Sequence, residues 1–285
     1  HCMMMENVNY GREELMFLNI CRKGLLGELY HGEAAYIHDL RWQMYEEEIG
    51  TGSWRTLQYE KKKGNLYPTH GLGPVSQYMN LLRTDDTFKT LISFSSPALG
   101  REKFARENFN ENHKWNKLNY QNGDINTTVI KTYLGRTIMV QWDETSPRPY
   151  TRLNLIQGTK GILAGGPTRA AFDNGFEGYT KDAEEWITGE GIDALYEKYD
   201  HPMYKRLNKI TQDSGHGGMD GMMVYRIIEC LRKGEPLDQN VYEGCAWSSL
   251  IELTSNSVNN DGQPQDFPDF TRGNWVNTNT FDIIP

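Results

Sequence analysis

Hydrophobic residues recur along the chain at the spacings of both helices and strands. A helical period predicts a first helix over residues 11–24, and Gly24 or Gly27 can supply the left-handed residue that ends it. Residues 28–38 then alternate between two faces, as expected of a strand. The short apolar run at residues 1–5 is interpreted as a buried strand.

The remainder of the chain continues this mixture of elements. Further strands are predicted at residues 126–133, 137–143, 151–157 and 161–165. Further helices are predicted at residues 72–83 with Pro74 in the first turn, in two patterns within 182–211 broken at His201-Pro202, at 218–233 and at about 246–257. Polar stretches at 39–66 and 101–124 are interpreted as a loop and an exposed excursion. Taken together, the predicted strands and helices indicate an α+β fold with a mostly antiparallel open sheet and helices packed on one face.

Size and charge narrow the classes of function. The 285 residues are enough for a sizeable core, and no apolar run approaches the ~20 residues of a membrane span. A net charge of −8 argues against a nucleic-acid partner, since phosphate binding needs clustered cations. The four cysteines show no metal-ligand spacing and are interpreted as buried or partly buried thiols. We therefore expect no membrane, nucleic-acid or metal partner.

The segment around His70 holds the densest group of aromatic and polar residues. Pro68 restricts the preceding Tyr67 to an extended backbone, and Gly71 lets the backbone approach another group closely. His70 is then placed at the start of a helix, where a neutral imidazole can accept a proton from a hydroxyl group. A structural histidine in a turn before a helix explains the same residues.

Two other histidine segments are weaker candidates. Tyr36 and His38 share one face of the predicted strand, although a core tyrosine and a surface histidine explain that arrangement equally. His216 precedes a helix that opens with glycines, and amides exposed there suit an anion or a sugar hydroxyl. The alternative at this segment is an ordinary helix start that Asp220 stabilises.

These segments, taken in order, resemble glycoside hydrolase family 109 of the Gfo/Idh/MocA oxidoreductase superfamily. The matching segments are Glu6-Asn7, residues 36–41, Trp54-Arg55, and residues 67–74, 147–150, 157–161, 215–220 and 268–271. The runs 67–74 and 215–220 are the specific ones, and 157–161 is looser. Residues 101–124 and 170–200 are the least characteristic.

The resemblance implies a two-domain parent protein. Residues 1–10 would be the end of a Rossmann domain, and residues 11–285 would form the substrate-binding domain. No GxGxxG fingerprint follows a strand here, so the NAD site is expected upstream and this chain alone is expected to be inactive. Any export signal would also lie upstream, which leaves the localisation open. A homo-oligomer formed through the open sheet is the expected assembly.

The family activity implied is hydrolysis of α-linked N-acetylgalactosamine with NAD as a redox-neutral cofactor. The sugar is oxidised at C3, the group on C1 is eliminated after loss of the C2 proton, water adds, and C3 is reduced again. By resemblance, His70 handles the C3 hydroxyl proton. Tyr36 contacts the sugar near C2, and it would need a depressed pKa to act as the base there.

The resemblance also assigns the remaining site residues. The expected sugar ligands are Tyr36, Arg55, Tyr67, Pro68, Thr69, His70 and Tyr150. The expected cofactor side is formed by Glu6, Asn7 and Tyr67, with His38 and His216 as second-rank candidates. Two alternatives stay open: a sugar or polyol dehydrogenase that releases NADH, and a non-catalytic module for sugar binding or oligomerisation.

Overall fold

A single mixed sheet forms the frame of this protein. The computed structural model describes residues 1–48, 54–281 and 283. The strands of the described part are β1 (Leu29–Ile37), β2 (Phe88–Ser95), β3 (Ile125–Thr132), β4 (Thr137–Asp143), β5 (Leu155–Gly158), β6 (Gly161–Ala164), β7 (Arg169–Phe172) and β8 (Gln265–Asp266). Their order across the sheet is β7-β6-β5-β1-β4-β3-β2-β8. Only β1 and β4 pair in parallel; the other neighbouring strands are antiparallel, as predicted.

The α-helices of the described part surround one side of this frame. They are α1 (Arg12–Arg22), α2 (Trp54–Lys61), α3 (Thr69–Tyr78), α4 (Gly100–Asn108), α5 (Glu190–Tyr199), α6 (Pro202–Thr211), α7 (Met219–Lys233) and α8 (Val241–Asn259). Helix α3 packs on β1 and α8 packs on β2. The main core joins apolar residues of these helices to one face of the sheet. On the other face Ile92 and Val129 remain exposed, so the predicted α+β architecture with an open sheet is confirmed.

Helix α3 begins earlier than its sequence predicts. It starts at Thr69 rather than at residue 72, so Pro74 lies in its interior and not in its first turn. Because proline has no amide hydrogen, the carbonyl of His70 loses its usual helical partner at this point. The proline inside the helix is tolerated because tertiary packing buries residues 71–78.

Residues 1–5 do not form the predicted buried strand. They are exposed or half-buried, and their one backbone pairing is an isolated bridge between Met3 and Asn240. Met3 and Met4 instead pack their side chains against the edge of the core. An apolar run can therefore be partly buried without joining the sheet. The cysteines were predicted to be buried or partly buried thiols. This prediction is wrong for Cys2, which is exposed, and all four cysteines are free.

Two predicted loops contain helices. Helix α2 and a 3-10 turn at Arg41–Tyr45 lie within 39–66, of which residues 49–53 lie outside the described part. Most of α4 lies within 101–124, where Arg101 is buried rather than exposed. No helix in the described residues has the length and apolar character needed to cross a membrane.

Candidate active site

Tyr36 reaches the site because a helix lies directly against its strand. It is the penultimate residue of β1, and its side chain is only 7% exposed. Helix α3 touches the backbone of β1 at Gly71, where an added Cβ would lie 2.4 Å from the backbone nitrogen of Ala35. This close approach, which the sequence indicated for Gly71, carries His70 to the side chain of Tyr36.

Aromatic rings from three segments converge at this point. The ring centroids of Tyr36 and His70 are 5.1 Å apart, and those of Tyr36 and Tyr67 are 4.8 Å apart. Tyr67 and His70 are themselves 4.8 Å apart with perpendicular planes. Tyr150 adds an outer wall, 6.2 Å from Tyr36 and 5.0 Å from His38. We call Tyr36, Tyr67 and His70 the ring cluster.

A buried carboxylate lies behind the ring cluster. Glu6 is 2% exposed, and its Oε1 lies 2.7 Å from Nδ1 of His70. The ring N–H is not aligned with this oxygen, so the contact is electrostatic rather than a well-formed hydrogen bond. The backbone of Glu6 is held from both sides by Gln239, whose Oε1 accepts from its N–H and whose Nε2 donates to its carbonyl. Glu6 therefore places a carboxylate against the Nδ1 side of the His70 ring.

The next residue connects this carboxylate to the second histidine segment. Asn7 Nδ2 donates to Asp220 Oδ1 at 2.6 Å, and Oδ2 of Asp220 lies 2.8 Å from Nδ1 of His216. His216 is 66% exposed and lies in a 3-10 turn before α7. Glu6 and Asn7 therefore link the starts of α3 and α7, which places two of the three predicted cofactor-side residues at one edge of the site, while Tyr67 lies in the ring cluster.

Arg55 is held beside the ring cluster by an ion pair. Its Nε donates to Glu144 Oε1 at 3.1 Å and its Nη1 donates to Gln43 Oε1 at 3.1 Å. Its guanidinium lies 5.6 Å from the ring centroid of Tyr67. Burial raises the pKa of Glu144, and the charge of Arg55 opposes this shift. Arg55 is therefore a fixed cation at the rim of the site.

Tyr150 is positioned by a second ion pair. Arg152 Nη1 donates to the hydroxyl of Tyr150 at 2.9 Å, and Nη2 of the same side chain donates to Glu14 Oε1 at 2.6 Å. Glu14 is 2% exposed and belongs to α1. The exposed ring of Tyr150 is thus tied to the core through Arg152.

Three titratable side chains of the site, Tyr36, Tyr67 and His38, favour their neutral forms. Burial, reinforced by the charge of Glu144, raises the pKa of Tyr36 well above its ordinary value. Burial also raises the pKa of Tyr67, with Glu6 acting in the same direction. Burial, followed by the charge of Arg55, lowers the pKa of His38, whose Nδ1 lies 3.1 Å from the hydroxyl of Tyr36. A base role for Tyr36 would therefore need a positive charge beyond those of the described chain, and this role stays a prediction.

Several supporting residues escaped the sequence analysis. Gln239, Glu144, Gln43, Arg152 and Glu14 hold site residues but belong to distant segments with no local motif. Pro68 is the buried residue before α3 and Thr69 is its half-buried first residue. Their sugar contacts stay predictions. Within the described ranges, no group of three or more His, Cys, Asp or Glu side chains is arranged to hold a metal ion.

Comparison with known sequences identifies close relatives. The chain matches the family model described as "Glycosyl hydrolase 109, C-terminal domain" over residues 10–277. It is 61% identical over its whole length to glycosyl hydrolase family 109 protein 1 of Akkermansia muciniphila and covers 59% of that protein. It is 56% identical to the family 109 protein of Shewanella sp. (strain W3-18-1) and covers 61% of it. The chain thus spans about three fifths of the length of these relatives.

Solved structures share the fold at low sequence identity. Levoglucosan dehydrogenase in complex with NADH and levoglucosan superposes with a TM-score of 0.63 at 15% identity, over 92% of this chain and 65% of that one. An inositol dehydrogenase homolog complexed with NAD+ from Azotobacter vinelandii superposes with a TM-score of 0.57 at 15% identity, over 93% and 64% of the two chains. These neighbours confirm the predicted Gfo/Idh/MocA-type fold.

Proposed function

The chain belongs to glycosyl hydrolase family 109, and from this premise we propose that it is the sugar-binding part of an NAD-dependent glycosidase acting on α-linked N-acetylgalactosamine. The observation that carries the proposal is the convergence of Tyr36, Tyr67 and His70 from separate elements around one point. A pair of catalytic carboxylates is not needed for elimination chemistry of this kind. The identity of the sugar comes from the family resemblance.

In the proposed reaction, His70 holds the proton of the C3 hydroxyl. Glu6, 2.7 Å from Nδ1, compensates the positive charge that the imidazole acquires when Nε2 accepts this proton. The same proton returns to the C3 oxygen at the end of the cycle, so the residue is unchanged after turnover. Glu6 is a positioning residue in this scheme, because it acts through His70.

Tyr36 is proposed to take the C2 proton before the group on C1 leaves. The raised pKa of its phenol keeps it protonated in this chain, so the base form needs a positive charge delivered beside it. Nδ1 of His38 lies 3.1 Å from the phenol oxygen, but its lowered pKa makes it a weak acceptor for the phenol proton. In this scheme His38 orients the hydroxyl, and the added positive charge allows the phenol proton to pass to water.

The residues at the edge formed by Glu6 and Asn7 fit the reactive end of a nicotinamide cofactor. They offer a carboxylate, an amide and the flanking ring of Tyr67, which are neutral or acidic groups suited to a nicotinamide ring and its carboxamide. The nearby cation, Arg55, is already paired with Glu144. A bound NAD+ would supply the reversible hydride acceptor that oxidation and re-reduction at C3 require. The phosphate-binding groups are assigned to the part of the relatives that this chain does not cover.

The experiment joins this chain to the amino-terminal part of the Akkermansia muciniphila relative and supplies an aryl α-N-acetylgalactosaminide with NAD+. We expect aglycone release without net NADH and incorporation of solvent deuterium at C2. The variant Trp186→Ala, whose exposed indole lies beside Arg169 of β7, is the control and should retain activity. Net NADH with an intact glycoside would instead identify a sugar dehydrogenase. Binding without either product would identify a sugar-binding module.

We also propose that the open face of the sheet joins a second copy of the chain. Ile92, Val129 and Met139 lie in one row across β2, β3 and β4, and the first two are 39% and 42% exposed. An apolar row of this kind marks an interaction surface. Val129→Glu should convert the dimer to a monomer in light-scattering measurements; a wild-type chain that is already monomeric at high concentration contradicts the proposal.

A further inference from the structure

Trp54 is an exposed indole that adjoins the candidate active site. It is the first residue of α2 and is 42% exposed. The guanidinium of Arg55 lies 4.5 Å from the centre of its ring and 5.6 Å from the centre of the Tyr67 ring. One side chain therefore separates this indole from the ring cluster.

The guanidinium of Arg55 supports one side of the indole. Arg55 is only 12% exposed, and its Nε and Nη1 are occupied by Glu144 and Gln43. Since the guanidinium cannot leave this ion pair without exposing a buried carboxylate, it is a fixed support for one side of the indole. The exposed part of Trp54 is thus presented at a constant position on the rim of the site.

A rigid, exposed aromatic surface is suited to one class of ligand in this position. The C–H groups of a pyranose ring form an apolar face, and an aromatic side chain offers a large apolar area at little cost in conformational entropy. Because one guanidinium lies 4.5 Å from the centre of the indole and 5.6 Å from the centre of the Tyr67 ring, the two rings are at most about 10 Å apart, which a disaccharide can bridge. A glycan whose terminal sugar occupies the ring cluster would bring its next sugar to the indole.

We propose that Trp54 is the binding platform for the sugar on the leaving-group side of the cleaved bond. This inference rests on the proposed function, because the ring cluster must hold the terminal sugar. It adds a subsite that contributes affinity without taking part in the chemistry.

The chain contains a matched control for this tryptophan. Trp186 is 44% exposed, and the guanidinium of Arg169 lies 4.9 Å from its ring centre. Arg169 belongs to β7 at one end of the sheet, with β6 and β5 between it and β1. The two indoles therefore share exposure and a cationic support but differ in their distance from the ring cluster.

The test measures sugar binding to this chain by saturation-transfer NMR and calorimetry. The probes are methyl α-N-acetylgalactosaminide, the disaccharide α-N-acetylgalactosaminyl-(1→3)-galactose, and a serine glycopeptide carrying the same terminal sugar. We expect the disaccharide to bind more tightly than the methyl glycoside. Trp54→Ala should weaken disaccharide binding about tenfold, which corresponds to ~1.4 kcal/mol, and leave the methyl glycoside unchanged. Trp54→Phe should retain most of the affinity, and Trp186→Ala should bind all three probes like the wild type.

Other outcomes of the binding test would contradict specific parts of the inference. If Trp54→Ala weakens the methyl glycoside as much as the disaccharide, Trp54 belongs to the terminal-sugar pocket and the subsite is wrong. If the glycopeptide also binds more tightly than the methyl glycoside, and Trp54→Ala weakens its binding as much as that of the disaccharide, the subsite recognises peptide. If the methyl glycoside does not bind while the disaccharide does, the ring cluster is not the terminal-sugar pocket and the proposed function fails. If none of the probes binds, both proposals fail together. Unchanged circular dichroism spectra verify that the variants are folded.

Discussion

The Glu6–His70 pair and the Asp220–His216 pair both stand at the start of a helix, and they have similar distances of 2.7 and 2.8 Å between Nδ1 and a carboxylate oxygen. Their surroundings differ. Glu6 and His70 have side chains that are 2% and 18% exposed, whereas those of Asp220 and His216 are 35% and 66% exposed. Aromatic rings enclose only the first pair. The same local chemistry therefore becomes a candidate catalytic centre only where packing excludes water and adds neighbouring groups.

The largest difference is expected when each histidine is removed from the fused enzyme described above. His70→Ala should lower kcat/KM about 10²–10⁴-fold, the range for loss of a general acid–base group. His216→Ala should lower it less than about tenfold, because its side chain is solvated and its partner is exposed. Steady-state kinetics on the aryl glycoside measure both, and melting temperatures control for folding. Equal losses from the two variants would show that burial does not separate the two pairs.

Substitution of the glycines beside the two histidines extends the comparison to the free energy of unfolding. Gly71→Ala would place a Cβ 2.4 Å and 2.7 Å from backbone atoms of Ala35, so we expect destabilisation of about 3 kcal/mol from forced separation of α3 and β1. Gly217→Ala meets no atom within 4 Å but must adopt a φ of 65°, which costs about 1 kcal/mol. Urea unfolding of this chain measures both free energies. The reverse order would mean that α3 is free to move away from β1.

Neutralising each carboxylate tests how much it supports its histidine. Glu6→Gln in the fused enzyme should lower kcat about 10–100-fold, since an interaction with an ionised partner contributes about 1.5–3 kcal/mol. Asp220→Asn should change kcat less than about fivefold, because water screens the exposed pair. Steady-state kinetics and melting temperatures together separate a catalytic effect from a packing effect. A reduced melting temperature with an unchanged kcat would show that Glu6 has only a structural role.

The smallest expected effect concerns the acid stability of the exposed pair. Burial raises the pKa of Asp220, but hydrogen bonds from Asn7 and His216 outweigh it, and the net pKa lies below its ordinary value of 3.8. A depressed folded-state pKa means that the ionised carboxylate stabilises the fold above the ordinary value, and this contribution disappears as the pH falls through the folded-state pKa. Asp220→Asn should therefore lower the free energy of unfolding by less than about 1 kcal/mol at pH 7, and this loss should shrink as the pH falls below 3.8, as measured by urea unfolding. If Asp220→Asn lowers the free energy of unfolding by the same amount at every pH, the effect is due to packing rather than charge.

Regular amphipathic elements could be predicted without the structure. The strand β1 and the helix α7 were both located to within one or two residues from the period of their apolar positions, although α7 leaves Tyr225, Ile228 and Leu231 exposed. The strand β2 was missed, since Ile92 and Phe94 are apolar on its open face as well as Leu91 on its packed face, and no alternation remains. The strand β7 has four residues, which is too short for a period to show.

The chain by itself determined the family, the mixture of helices and strands, and the residue types available for chemistry at 36, 67 and 70. Only the tertiary structure decided which histidine segment became the enclosed one. That choice depends on the close approach at Gly71 and on the placement of Glu6 by Gln239, which lies 233 positions away. A local pattern cannot encode such contacts, because desolvation and electrostatic coupling act through space and are set by the packing of elements that are distant along the chain.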